Sequence, residues 1–151
     1  MAAIKIGDSK VLESREAPDG TIIRRRRVTA DGVRFTTYER IEMPQLTVLK
    51  SSGAKQPFDR DKLLTSVRKS VGNFFKSDMA VEQVVNKVVD RVYDLGTGGA
   101  VTSRQIGEAI LEVLAEENEV AYVRFASVFL KFSSLDDFEK IIREQREKKG
   151  K

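Results

Sequence analysis

Two residue types are missing altogether: the chain contains neither cysteine nor histidine. Without cysteine there is no disulfide, no thiol catalysis and no thiolate-held metal. Without histidine the commonest acid–base residue is gone as well. Long apolar runs are also lacking: no stretch approaches the roughly 18 residues that a membrane-spanning helix needs. The opening Met1-Ala2-Ala3-Ile4-Lys5 carries no signal-peptide core. A cytoplasmic location, with no membrane partner, is the resulting expectation.

What is present fits one ordinary domain, or a small module and a modest one, in 151 residues. The apolar share of 40% is enough for one core, and the charged share of 33% is mixed in sign. The net charge of +4 is unevenly placed. Arg24, Arg25, Arg26, Arg27, Arg34 and Arg40 face only Asp31 and Glu39 across residues 21–40. Lys140, Arg143, Arg146, Lys148, Lys149 and Lys151 face Glu144 and Glu147 at the other end. Two local basic clusters suit a polyanion partner better than a diffuse positive surface does.

The first 45 residues read as strands and turns. Lys10–Arg15, Thr21–Val28 and Val33–Ile41 are strand candidates, separated by Asp19-Gly20 and Asp31-Gly32, where glycine tolerates the positive φ of a tight hairpin turn. Met43-Pro44-Gln45 reads as a linker and Leu46–Lys50 as a short strand. Ser51-Ser52-Gly53 is a turn, and Asp59 is placed to cap a helix. Helical periodicity predicts Arg60–Phe75, with Leu63, Leu64, Val67, Val71, Phe74 and Phe75 inward, and Met79–Leu95, a valine-rich helix ended by Gly96-Thr97-Gly98-Gly99. Thr102 and Gln105 form a capping box before a third helix, and Glu119–Phe132 and Leu135–Arg146 complete the set. The fold class is α+β: a three-stranded meander over residues 1–45, a mainly helical domain with a short β element over residues 46–147, and a basic tail over residues 148–151.

Three stretches carry the chemistry. On a strand, Arg24 and Arg26 share one face and Arg25 and Arg27 the other, so both faces are cationic. That makes a poor core strand and a good phosphate clamp, because guanidinium groups pair bidentately with phosphate oxygens. Phe35 and Tyr38 either buttress the hairpin or lie against sugars and bases. The plain alternative is a solvated basic strand; composition favours nucleic acid. The second stretch, Val48 to Lys62, joins a strand, a small-residue turn and a helix start, with Lys50, Lys55, Arg60 and Lys62 close by. Turn amides and helix N-termini favour phosphate, but the Walker A spacing is absent. Physics alone favours an ordinary strand–turn–helix there. The third, Glu119 to Phe129, is apolar at nearly every position, which predicts a helix buried on most sides and a carboxylate partner for Arg124.

Together these stretches resemble the bacterial transcriptional repressors of ribonucleotide reductase genes, the NrdR family, in which a zinc ribbon precedes an ATP cone. The matching pieces are Glu13-Ser14-Arg15, Ile23 to Arg27, Arg34 to Arg40, Val48-Leu49-Lys50, Pro57-Phe58-Asp59-Arg60-Asp61-Lys62, Val120 to Val128 and Leu135-Asp136-Asp137-Phe138. The resemblance implies a nucleotide-responsive repressor that binds double-stranded DNA, forms homo-oligomers, sits with the bacterial nucleoid and takes ATP or dATP as allosteric effector. It implies nucleotide contacts from Val48, Lys50, Ser51, Gly53, Gln56 and Lys62. It implies DNA contacts from Arg15, Arg24, Arg25, Arg26, Arg27, Arg34, Thr36, Tyr38 and Arg40. The family's cysteines fall where this chain has Ala3 and Ile6 and in its Val28–Asp31 turn, so zinc is not expected here. The family's Lys-Arg-Asp-Gly reads Lys50-Ser51-Ser52-Gly53, and a usual Glu is Gln56. In place of zinc, an apolar cluster of Ile4, Ile6, Val11, Ile23, Val28, Val33 and Phe35 is the expected support.

Two other functions draw on the same residues. One is a nucleotide-sensing interaction module that no longer binds DNA, which the missing zinc ligands favour and the four arginines oppose. The other is a piece of the reductase large subunit, excluded because its thiyl chemistry needs cysteine. No catalytic constellation is present, so nucleotide would act as effector and not as substrate.

Overall fold

A computed structural model describes residues 3–150. The chain forms two compact units, one ending at Met43 and the other beginning at Pro44. The fold class is α+β.

The first unit is an antiparallel sheet in the order β1 (Ser9–Glu16), β2 (Ile22–Thr29), β3 (Arg34–Arg40), preceded by a single 3-10 turn at Ile6–Asp8. Gly20 and Gly32 sit at the hairpin turns with φ of 74° and 86°, a conformation that costs glycine little. The register pairs Arg24 with Arg15 and Tyr38, and Arg26 with Glu13 and Thr36. A bulge at Leu12 shifts β1 by one residue, so its odd-numbered residues change face there: Val11 pairs with Arg27 but Glu13 with Arg26.

The expected apolar cluster does not form. Ile4, Ile6, Val11 and Val33 are all about half exposed, while Ala17 and Ile22 at the first hairpin are buried. The cause is the period of two. Val28 alternates onto the face of Arg24 and Arg26, whereas Ile23, Val11 and Phe35 fall on the face of Arg25 and Arg27. One sheet cannot gather side chains from both of its faces.

The second unit packs five helices and a small mixed sheet. The elements are β4 (Thr47–Leu49), β5 (Lys55–Pro57), α1 (Arg60–Val71), α2 (Asp78–Leu95), β6 (Ala100–Thr102), α3 (Ser103–Glu117), α4 (Glu119–Phe129) and α5 (Leu135–Lys149). Strand order is β5-β4-β6, antiparallel on one side of β4 and parallel on the other. β5 and β6 carry no strand signal in the sequence, because three residues are too few to show alternation.

Valine has only moderate helix propensity, yet α2 buries Val81, Val84, Val85, Val88, Val89 and Val92. Spacing of three and four residues decides the matter, because it lines these side chains on one stripe against Val67, Val71, Val113 and Leu114. Each buried valine contributes on the order of 1.5–3 kcal/mol, several times its propensity deficit. Gly96 ends α2 where a Cβ would lie 2.6 Å from Leu46 and 3.0 Å from Val101, so a side chain there would have to displace both core residues.

Three expectations are corrected. α1 stops at Val71 and passes into a 3-10 turn over Gly72–Phe74, leaving Phe74 exposed, because Gly72 weakens the helix where the chain turns. α4 ends at Phe129, not Phe132: Lys131 takes a φ of 55°, which no helix continues. α4 is also not buried on most sides. Only Ala121 and Ala126 are fully inside, Val120 and Val128 are mostly exposed, and Arg124 is exposed and needs no carboxylate. At the C-terminus α5 runs on to Lys149, tied by Lys149 to Glu119 at 2.7 Å and by Gln145 Nε2 to the Ala115 carbonyl at 2.9 Å. Lys148 and Lys149 of the basic tail are therefore helical, and Lys151 lies outside the described residues.

Gly107 on α3 sits under the Phe129 ring, where a Cβ would lie 2.1 Å from a ring carbon. Gly107→Ala must displace the Phe129 ring from its seat on α3. Overpacking of this kind costs about 1–3 kcal/mol, so the urea midpoint of the full chain should fall. An unchanged midpoint would show that α4 is not seated on α3 in this way.

Candidate functional site

The β2 arginines are sorted by their neighbours. Cross-strand partners share a face, so Arg15, Arg24, Arg26, Arg34, Thr36, Tyr38 and Arg40 lie together, with Glu13 as the acidic residue among them. Arg25 and Arg27 lie on the opposite face with Glu16 and Glu39. Sequence reasoning found both faces cationic; the register shows that they are not equivalent. On the second face Arg25 binds Glu39 at 2.8 Å. Arg27 there donates to Ser9 Oγ at 3.1 Å and keeps its Nε buried without a partner. On the first face Arg26 donates to Thr36 Oγ1, and Arg24 and Arg34 make no ion pair among the described residues. The first face is thus a row of guanidinium groups with the Thr36 and Tyr38 hydroxyls and one carboxylate, Glu13, which holds Arg15 at 3.0 Å; its excess of cations suits successive phosphates.

The second candidate lies in the other unit. β4 and β5 form a hairpin that places Val48 opposite Gln56 and Leu49 opposite Lys55. Its turn is closed by Lys50 N–H to the Ala54 carbonyl at 2.8 Å and Gly53 N–H to the Lys50 carbonyl at 2.9 Å, with Gly53 at a φ of 89°. Val48 is buried and pairs with Val101 of β6, so it belongs to the core as well as to the hairpin. Lys50, Ser51 and Gly53 are exposed on the turn, and Gln56 is half-buried. Lys62 is exposed on the first turn of α1, which is separated from β5 by only Phe58 and Asp59. Phe58 N–H donates to the Leu46 carbonyl at 2.7 Å and fixes the chain between hairpin and helix.

The α1 N-terminus carries amides of the kind that favour phosphate, although the residues alone favour an ordinary strand–turn–helix there. The structure shows that its donors are partly spent: Asp59 accepts from the Asp61 amide at 2.9 Å and from the Lys62 amide at 3.4 Å. A phosphate there would compete with a carboxylate, which leaves cationic side chains as the available partners. A residue that sequence reasoning grouped with the lysines plays another part. Arg60 is mostly buried and donates to Glu82 of α2 at 2.8 Å, with its Nε and one terminal nitrogen lacking partners. It locks α1 to α2 and is not a surface cation.

A strand-turn-strand-helix motif on a helical domain follows, in the chain, a cationic three-stranded sheet. Both parts have counterparts among known proteins. Residues 46–134 match the ATP cone domain family and residues 5–39 match the family of transcriptional repressor NrdR-like N-terminal domains. The chain is 44% identical over 140 residues to the transcriptional repressor NrdR of Roseobacter denitrificans, covering 92% of this chain and 90% of that protein. It is 44% identical over 138 residues to that of Sinorhizobium medicae, covering 91% and 87%. It is 43% identical over 140 residues to that of Paracoccus denitrificans, covering 92% and 90%. The chain belongs to the NrdR family of transcriptional repressors. The role its relatives are named for is regulatory and not catalytic.

Asp59→Ala removes the acceptor for two helix amides and should lower stability by about 0.5–2 kcal/mol, read as a drop in the thermal midpoint. No drop would mean that the α1 amides are satisfied by other means.

Proposed function

We propose that this chain is an adenine-nucleotide-responsive repressor of ribonucleotide reductase genes that grips duplex DNA through one face of its β1–β3 sheet. Residues 1–45 form the DNA module, residues 46–147 the cone, and residues 148–151 a basic tail. The observation that carries the reading is the sorting of arginines: Arg15, Arg24, Arg26, Arg34 and Arg40 share a face with Thr36 and Tyr38. Phosphate contacts supply affinity and register, and guanidinium groups reaching base edges supply specificity. Arg25 and Arg27 support the sheet from behind.

ATP or dATP is the effector. Lys50 and Lys62 meet its phosphates, while Val48, Ser51, Gly53 and Gln56 line the pocket. Ser51 and Ser52 replace a cation and a carboxylate of the usual cone motif, and Gln56 replaces a Glu, so recognition rests on Lys50 in a neutral turn and on Lys62 beside Asp59 and Asp61. Occupancy resets a homo-oligomer and with it the affinity for DNA. The protein acts in the cytoplasm at the nucleoid; among the described residues no helix is long and apolar enough to cross a membrane. Nothing in the sheet or in the relatives favours a module that has given up DNA.

Two measurements test this. In anisotropy titrations against an operator duplex, Arg24→Ala should weaken binding to all sequences and reduce the slope of log affinity against log salt by about 0.9, one phosphate contact. Arg25→Ala, already paired with Glu39, should change the slope less; equal losses would refute the sorted faces. In calorimetric titrations with ATP and dATP, Lys62→Ala should weaken binding by about tenfold or more, the scale of a lost charge-assisted hydrogen bond. Unaltered affinity would remove Lys62 from the site.

A further inference from the structure

The family resemblance brings a zinc ribbon with it, and this chain cannot supply one. Zinc sites are built from Cys thiolates and His nitrogens with occasional carboxylates. The chain has no Cys and no His. Among the described residues no three metal-ligating side chains gather into a site. At the positions of the first cysteine pair, Ala3 and Ile6 are exposed, and the second turn offers only Asp31 as a ligand. The residues do not fit the metal.

The open end of the sheet is nevertheless tied. Ser9 and Thr29 face each other as the terminal pair of the β1–β2 ladder. Each hydroxyl closes the turn beside it. Ser9 Oγ donates to the Ile6 carbonyl at 2.5 Å, closing the turn that leads into β1. Thr29 Oγ1 accepts from the Val33 amide at 3.0 Å, while the Thr29 amide donates to the Val33 carbonyl at 2.9 Å. The Gly32 amide completes that turn by donating to the Thr29 carbonyl at 3.0 Å. Arg27 then reaches across β1–β2 to Ser9 Oγ at 3.1 Å. Two turns that a metal would join are joined here by the strand pairing and a guanidinium–hydroxyl contact.

We propose that Ser9, Arg27 and Thr29 form a polar clasp that replaces the structural metal, so that the sheet holds its shape whatever the zinc supply. Arg27 is thereby a positioning residue of the sheet and not a DNA-reading one. Neither metal loss nor thiol oxidation can then act on the first unit, which holds no cysteine. The proposal builds on the family assignment and on the geometry of the first unit. It does not depend on DNA binding.

The test uses amide hydrogen exchange on the full chain. Thr29→Val keeps the shape and removes the hydroxyl, and the Val33 amide should exchange about fivefold faster or more, as for one lost hydrogen bond of ordinary strength. Thr29→Ser keeps the hydroxyl and should restore slow exchange. Wild-type rates in Thr29→Val would overturn the clasp. Should Thr29→Val not fold, a folded Thr29→Ser supports the clasp and an unfolded one overturns it. In a second arm, wild-type chain is treated with 1,10-phenanthroline and then given excess zinc. Protection across β1–β3 should stay within twofold throughout. Protection lost to the chelator and regained with zinc would show that a metal holds the sheet after all.

Discussion

Everything proposed for the first unit depends on the register of β2 between its two neighbours. Four consecutive arginines on an isolated strand would repel one another and point both ways to no purpose. Paired with Arg15, Tyr38, Glu13 and Thr36 on one side, and with Glu39 and Ser9 within reach on the other, the same residues become two different surfaces. A slip of one residue would exchange them. The bulge at Leu12 keeps the outer strand in step, and the glycines at positions 20 and 32 set the lengths of the hairpins.

The second unit rests on a different kind of determinant. Its core is a stripe of valines on α2, packed by α1 and α3 and closed at one end by the Val48–Val101 pair of the parallel strands. Surface ion pairs such as Arg91 with Glu112 and Glu116 add little by themselves. The buried Arg60–Glu82 pair matters more, because removing one partner leaves the other charged and dry. The hairpin that carries Lys50 and Gln56 is therefore anchored in the core of the unit through Val48.

Much of this was legible in the sequence. The three strands of the first unit, the five helices and the Thr102–Gln105 capping box follow from periodicity and capping residues, and the family follows from motifs in order. What was not legible has physical reasons. Strands of three residues, Lys55–Pro57 and Ala100–Thr102, are too short for a pattern and exist because β4 pairs with both. The apolar cluster failed because side-chain alternation, invisible until the register is known, divides its members between faces. Arg124 looked buried because α4 is apolar all round, yet Val120 and Val128 are left outside. The hydroxyl ties of Ser9 and Thr29 had no sequence signal, since serine and threonine in turns are common.

The most direct test of the sorted sheet is guanidinium NMR of the full chain as an operator duplex is added in the presence of the effector. The Nε–Hε signals of Arg15, Arg24, Arg26, Arg34 and Arg40 should shift, and those of Arg25 and Arg27 should stay close to their free positions. Shifts confined to Arg25 and Arg27, or no shift at low ionic strength with either ATP or dATP, would contradict the account.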